Sequence, residues 1–415
     1  MHLFTSKFIT KPEHVTELPG SVTTPAGFVA AGVQAGLKKS GKPDLGLLVG
    51  KGPCSSAALF TPNAAAAAPV RVCQEETDTG AIQGIIVNSG SANACTGEQG
   101  LKDAGEMVRL AEEYTGVPPG RMAVASTGII GRPLPMDLMA SGIIEASRSL
   151  SEISGSLFAE SIQTTDRISK EGAVEVRLGA GTVSIGICAK GAGMIAPNMA
   201  TLLAFVTTDA QAPSGLLYDI LATAAGASFN CISVDGDMST NDCIFLMASG
   251  ASGVTLSPGS NDAGLFTEAL AAVCKSMALK MVADGEGATK TVELNVTGAS
   301  AREEAAFVAR AAANSPLVQT AFFGQDANWG RIMAAAGAAL AGEPRLEADI
   351  FYEGVCLARA GAVTDEPVDE KSLEKIMLQP EISVTLDLHR GSGSYTMYFS
   401  DLSHDYVTLN AEYST

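Results

Sequence analysis

Lys190-Gly191-Ala192-Gly193-Met194-Ile195-Ala196-Pro197-Asn198-Met199-Ala200-Thr201 delivers a run of small residues and one proline to a single β-branched hydroxyl residue. Glycines reach backbone dihedrals closed to other residues, and Pro197 fixes its own φ. Such a segment can hold the Ala200–Thr201 peptide in one constrained conformation, and the few χ1 choices of Thr201 restrict where its hydroxyl points. Attack of that hydroxyl on the Ala200 carbonyl would turn the amide into an ester that water can open. Thr201 would then head a new chain with a free α-amine whose ordinary pKa is about 7.7–8.0. A threonine using its own amine as general base is one way to activate a weak nucleophile. Taken alone, Gly-Ala-Gly followed by Pro-Asn is also ordinary loop chemistry.

Outward from this segment the pattern is α/β. Thr182–Ala189 and Val174–Leu178 alternate as a hairpin turning at Gly179–Gly181, and Leu202–Thr207 is an apolar, buried strand. Gly46–Val49, Ala81–Val87, Met122–Ala125, Cys243–Ala248 and Lys290–Val296 read as further strands. Helical spacing covers Asp103–Tyr114, Pro135–Ser149, Gly155–Gln163, Ser214–Ala227, Asp262–Ala283, Ala305–Ala313 and Asn328–Ala341, and residues 345–406 read as mostly strands. No low-complexity linker divides the 415 residues.

Charged residues make up 17% and hydrophobic ones 46%, which excludes a disordered chain. A formal charge of −18 repels phosphate backbones, so nucleic acid is excluded as a partner. The alanine tract 64–68, closed by Pro62 and Pro69, is too short for a membrane span, and residues 1–7 lack the pattern of a secretory signal. The 8 cysteines form no Cys-x-x-Cys or Cys/His cluster, which argues against a zinc or disulfide framework and fits a reducing cytoplasm. Cys95 and Cys243 read as small packing residues.

Several segments are rich in chemistry-bearing residues. Asn88-Ser89-Gly90-Ser91-Ala92-Asn93-Ala94 is a polar turn with no assigned chemical role, and Ser126-Thr127-Gly128-Ile129-Ile130-Gly131 reads as a tight turn leaving a strand. Thr164-Thr165-Asp166 fits a cap and turn. Ser233 through Asp242 is dense in carboxylates but lacks the 12-residue calcium loop. Ala283-Asp284-Gly285-Glu286-Gly287-Ala288-Thr289-Lys290 sets a carboxylate between two glycines, and residues 321–331 hold the only tryptophan, Trp329.

These motifs, in this order and over nearly the whole chain, resemble the ornithine acetyltransferase family, the arginine-biosynthesis glutamate N-acetyltransferases. Departures are Leu202 for the usual Met, Gln163 for Met, and Cys243 where Thr is commoner. The resemblance implies an α/β/β/α sandwich, similar to amidohydrolases that expose an N-terminal nucleophile. It makes Thr201 the nucleophile released by cleavage at Ala200–Thr201, and gives the oxyanion hole to Thr127 and Gly128. Substrate contacts fall to Thr164 (preferred over Thr165), Lys190, Thr201, Glu286, Asn410 and Thr415, and the 233–242 segment orders the site.

The implied reaction is ping-pong transfer of acetyl from N2-acetylornithine to glutamate, with no metal or organic cofactor; some members also accept acetyl-CoA. Residues 1–200 and 201–415 would be the α and β chains of one folded unit, two of each forming a heterotetramer. A self-cleaving aminopeptidase or amidase is the rival, separated by whether water or an amine takes the acyl group. An acidic scaffold protein is a third reading, and it would remain one uncut chain.

Overall fold

Leu203 and Phe205 face one hydrophobic core while Ala204 and Val206 face another, as side chains alternating along a strand buried on both faces must. The parallel neighbour Cys243–Ala248 repeats the split, with Phe245 and Met247 on the first side and Ile244 and Leu246 on the second. This doubly buried pair explains why the sequence there is a continuous apolar run. The computed structural model describes residues 2–196, 202–365 and 367–412, so Ala200, Thr201 and Thr415 lie outside the described residues.

The central sheet has six strands among the described residues, in the order Val15–Leu18, Lys170–Leu178, Gly181–Lys190, Leu203–Thr208, Cys243–Ala248 and Ser55–Phe60. The hairpin Lys170–Leu178/Gly181–Lys190 is antiparallel, as its alternation and glycine turn require. Lys190 then stands opposite Leu203 on the next antiparallel strand. The chain therefore leaves the sheet at 190 and rejoins it beside its point of departure. Strands from before residue 200 and after residue 201 are neighbours in one sheet.

One face of the central sheet meets a four-stranded sheet ordered Phe28–Val33, Leu45–Gly50, Gly84–Ser91 and Met122–Ile129. Phe158, on the short helix Gly155–Ser161, seats edge-on against Phe205 with ring centroids 5.0 Å apart. Gly32 makes this close packing feasible, because a Cβ there would sit 2.1 Å from the Leu157 carbonyl oxygen. Helices Ala68–Glu76, Gly97–Thr115 and Met136–Arg148 pack on the four-stranded sheet, and helices Ser214–Gly226 and Asn261–Ala283 pack on the second face of the central sheet. The layers run α/β/β/α.

Beyond Asn261–Ala283 lies a mixed sheet of seven strands among the described residues, with Thr291–Ala299 between Gly393–Ser400 and Glu381–Asp387 and helix Arg302–Ala313 packed on it. Residues 345–406 are less strand-rich than expected, since they include Glu370–Met377 and the start of His404–Glu412 as helices. Glu370–Met377 buries only a short stripe, Ile376 and Met377 beside half-buried Leu373, too brief to fix a helical period in the sequence, and no residue of His404–Glu412 is buried. Cys95 is a second correction: it is exposed with φ +56°, whereas Cys243 is buried as a packing residue. Among the described residues no helix is long and apolar enough to cross a membrane.

Candidate active site

The Ser126-Thr127-Gly128 motif is strand, not turn. Met122–Ile129 runs parallel to Gly84–Ser91, with Ser89 opposite Thr127 and Gly90 opposite Gly128, before a bulge at Ser91. Small residues on both strands let the backbones approach; a Cβ on Gly128 would lie 2.5 Å from the Gly90 carbonyl carbon, and its φ is +130°. The turn expected after Ala125 is deferred because Asn88 accepts the Ser126 hydroxyl at 2.6 Å and donates to the Ser91 carbonyl at 2.9 Å. The Asn88–Ala94 motif thus acquires a role: it is the wall against which Thr127 and Gly128 are set.

A third motif closes this corner. Asn241 is buried and donates to the carbonyls of Ala92 at 2.6 Å and Ser126 at 2.9 Å. Its neighbour Asp242 accepts the Leu202 N–H at 2.9 Å, and the Cys243 N–H donates to the Leu202 carbonyl at 3.1 Å. The residue following position 201 is therefore pinned by the same segment that braces the Thr127 strand.

Lys190 ends its strand with its ammonium buried, donating to the Thr127 hydroxyl oxygen at 3.1 Å. Met194 is a non-glycine residue at φ +55°, a costly conformation held because Asp235 accepts the N–H groups of Met194 and Ile195 at 2.6 and 2.9 Å. The Tyr406 hydroxyl reaches the same carboxylate at 3.4 Å. Glu286 donates its N–H to the Ala192 carbonyl at 2.8 Å and accepts from the Asn410 amide at 2.8 Å. Gly193 leaves room for this carboxylate, since a Cβ there would sit 2.6 Å from the Glu286 carboxyl carbon and push it aside.

These groups line one cleft of about 170 Å³. It gathers Thr127, Gly128, Thr164, Lys190, Glu286 and Asn410, and Thr165 lies beside Thr164 on the same wall. Thr201 and Thr415 lie outside the described residues. Asp235, Asp237, Ser239 and Tyr406 line the cleft as well. The density of carboxylates in 233–242 was the available signal for the first three; nothing in the sequence singled out Tyr406.

Burial pushes the Lys190 ammonium down from its ordinary value, against which Asp166 is the strongest opposing charge. Burial also raises Asp235 to about 6, despite its three backbone hydrogen bonds. For Asp166, burial is outweighed by the Lys170 and Lys190 ammoniums, which hold the carboxyl down at about 2.

The signs differ, so the two residues act in different pH windows. Ionised Asp166 favours the fold above its ordinary 3.8, and that contribution is lost as pH falls from there through about 2. Asp235, raised from 3.8, contributes below 3.8 and loses that contribution as pH rises through about 6. Urea midpoints measured against pH should show Asp166→Asn flattening the acid limb, while wild type loses stability relative to Asp235→Asn between pH 4 and 6.

The family model for ArgJ matches residues 29–415. The chain belongs to the ArgJ family. An arginine biosynthesis bifunctional protein ArgJ from Symbiobacterium thermophilum is 46% identical over 403 residues, 96% of this chain and 99% of that protein. Its counterpart from Geobacter sulfurreducens is 45% identical over 393 residues, 94% of this chain and 99% of that protein. Among solved structures, ornithine acetyltransferase from Mycobacterium tuberculosis complexed with ornithine is 39% identical, with a TM-score of 0.40, covering 44% of this chain and 98% of that one.

Proposed function

We propose that Thr201, freed by self-cleavage at Ala200–Thr201, carries the acetyl group from N2-acetylornithine to glutamate in a ping-pong reaction. As an ArgJ family member the chain is an ornithine acetyltransferase of arginine biosynthesis. The Thr201 hydroxyl attacks the acetyl carbonyl while its own amine takes the proton. The negative oxygen that forms is met by the Thr127 hydroxyl and the Gly128 N–H. Because an ammonium only donates, Lys190 occupies a lone pair of the Thr127 oxygen and leaves the hydroxyl proton free to point at that oxyanion. Ornithine departs, an acetyl ester remains on Thr201, and the glutamate amine takes the acetyl group. Lys190 suits a substrate carboxylate and Glu286 a substrate ammonium, with Thr164, Asn410 and Thr415 as further contacts. The two fragments remain one folded unit and pair as a heterotetramer.

The observation that supports this reading is the convergence of Thr127, Gly128, Lys190 and Glu286, from distant parts of the chain, on one cleft. Incubation with N2-acetylornithine, with and without glutamate, tests it. Sustained ornithine release should require glutamate; many turnovers without it would mean that water takes the acetyl group and the protein is a hydrolase. Gly193→Ala should displace the Glu286 carboxylate and raise the KM for N2-acetylornithine by about tenfold while the melting temperature stays nearly constant. An unchanged KM would remove Glu286 from the substrate site.

A further inference from the structure

Three walls of the cleft are tied together by one ammonium that does not line it. Lys170, with a side chain 0% exposed, donates to Asp166 at 2.6 Å and to Asp284 at 2.5 Å, and both carboxylates are buried. Each carboxylate in turn grips backbone at the site. Asp166 accepts the Gly191 N–H at 2.8 Å, next to Lys190, and the Thr164 N–H at 3.1 Å. Asp284 begins the turn that presents Glu286 two residues on, and it accepts the Arg167 and Ile168 N–H groups at 3.1 and 3.4 Å. From the solvent side the Arg167 guanidinium adds a bond to Asp284 at 3.1 Å.

We propose that Lys170, through Asp166 and Asp284, is a positioning residue that sets the separation of the Thr164–Thr165 and Glu286 walls and so governs substrate binding. Buried ion pairs are poor sources of stability, because desolvation offsets most of their attraction. Apolar side chains would fill the same space at less cost. What the charged arrangement supplies is direction: a small ammonium has to point at both carboxylates, and each carboxylate at its N–H donors, so three loops can meet in only one register. The triad makes no hydrogen bond to Thr127, Gly128 or Leu202 among the described residues; it reaches that corner only through the charge of Asp166 on Lys190, whereas Asp284 acts on the Glu286 side.

The proposal rests on the acetyltransferase reading above, and the test separates the two. Wild type and Asp284→Asn are compared for self-cleavage on a denaturing gel, melting temperature, and steady-state kinetics with N2-acetylornithine and glutamate. Asp284→Asn should cleave normally and raise KM by about tenfold with kcat within about threefold. Asp166→Asn should raise KM as well but also lower kcat, because Asp166 is the strongest charge supporting the Lys190 ammonium that braces Thr127, and the double variant should add little to the KM effect of Asp284→Asn. A lower melting temperature with unchanged KM, or a fall in kcat at constant KM, would overturn the positioning role. Should Asp284→Asn fail to fold, Arg167→Ala removes only the exposed arm; it should raise KM about twofold, and no rise would also overturn the proposal. Absence of transfer by wild type would instead sink the functional reading.

Discussion

Thr201→Ala should yield one uncut chain on a denaturing gel, with acetyl transfer reduced by at least about 10⁴-fold. The substitution removes the only atom in the proposed scheme that both opens the Ala200–Thr201 bond and later carries the acetyl group. Without cleavage there is also no terminal amine at position 201 to accept the hydroxyl proton, so two functions are lost through one oxygen. Folding should survive. Leu202 keeps its bonds to Asp242 and Cys243, Lys190 keeps its place opposite Leu203, and neither contact uses the threonine side chain. Thr201→Ser retains the hydroxyl and should restore cleavage. An alanine variant that still splits at this bond, or still transfers acetyl, would refute the assignment.

Thr127→Val should lower kcat by about 10²–10³-fold with little change in KM, the loss expected for one oxyanion donor. Valine matches threonine in shape, so packing of the buried strand end is preserved. Its cost is electrical: Lys190 loses its hydroxyl acceptor inside a buried site, and the oxyanion loses a donor. Thr127→Ser, which keeps the oxygen, should recover most of the activity. A valine variant with full kcat would move the oxyanion hole elsewhere.

Much of the fold was legible in local pattern. Cys243–Ala248 announces itself because burial on both faces leaves an unbroken apolar run, and the 170–190 hairpin because its residues alternate and glycine marks the turn. Phe28–Val33 was not picked out: Phe28-Val29-Ala30-Ala31-Gly32-Val33 has small residues where the helix Gly155–Ser161 comes close, and that approach is invisible locally. Ser126–Ile129 was misjudged for a related reason. Its small polar residues look like a turn until the equally small Asn88–Ser91 strand is seen beside them.

By itself the sequence determined which chemical groups exist and which stretches carry them: a hydroxyl after a constrained loop, a Thr-Gly pair, a carboxylate between glycines. Only the tertiary structure decided that Lys190 reaches Thr127 across 63 positions and that Lys170 joins Asp166 to an aspartate 114 positions away. Asn241 bracing two motifs at once belongs to the same class. The physical reason is that propensity and periodicity act over a few residues, whereas a hydrogen bond between distant segments exists only after their strands have been brought into one core. A buried lysine in a strand carries no local mark of the two carboxylates that satisfy it.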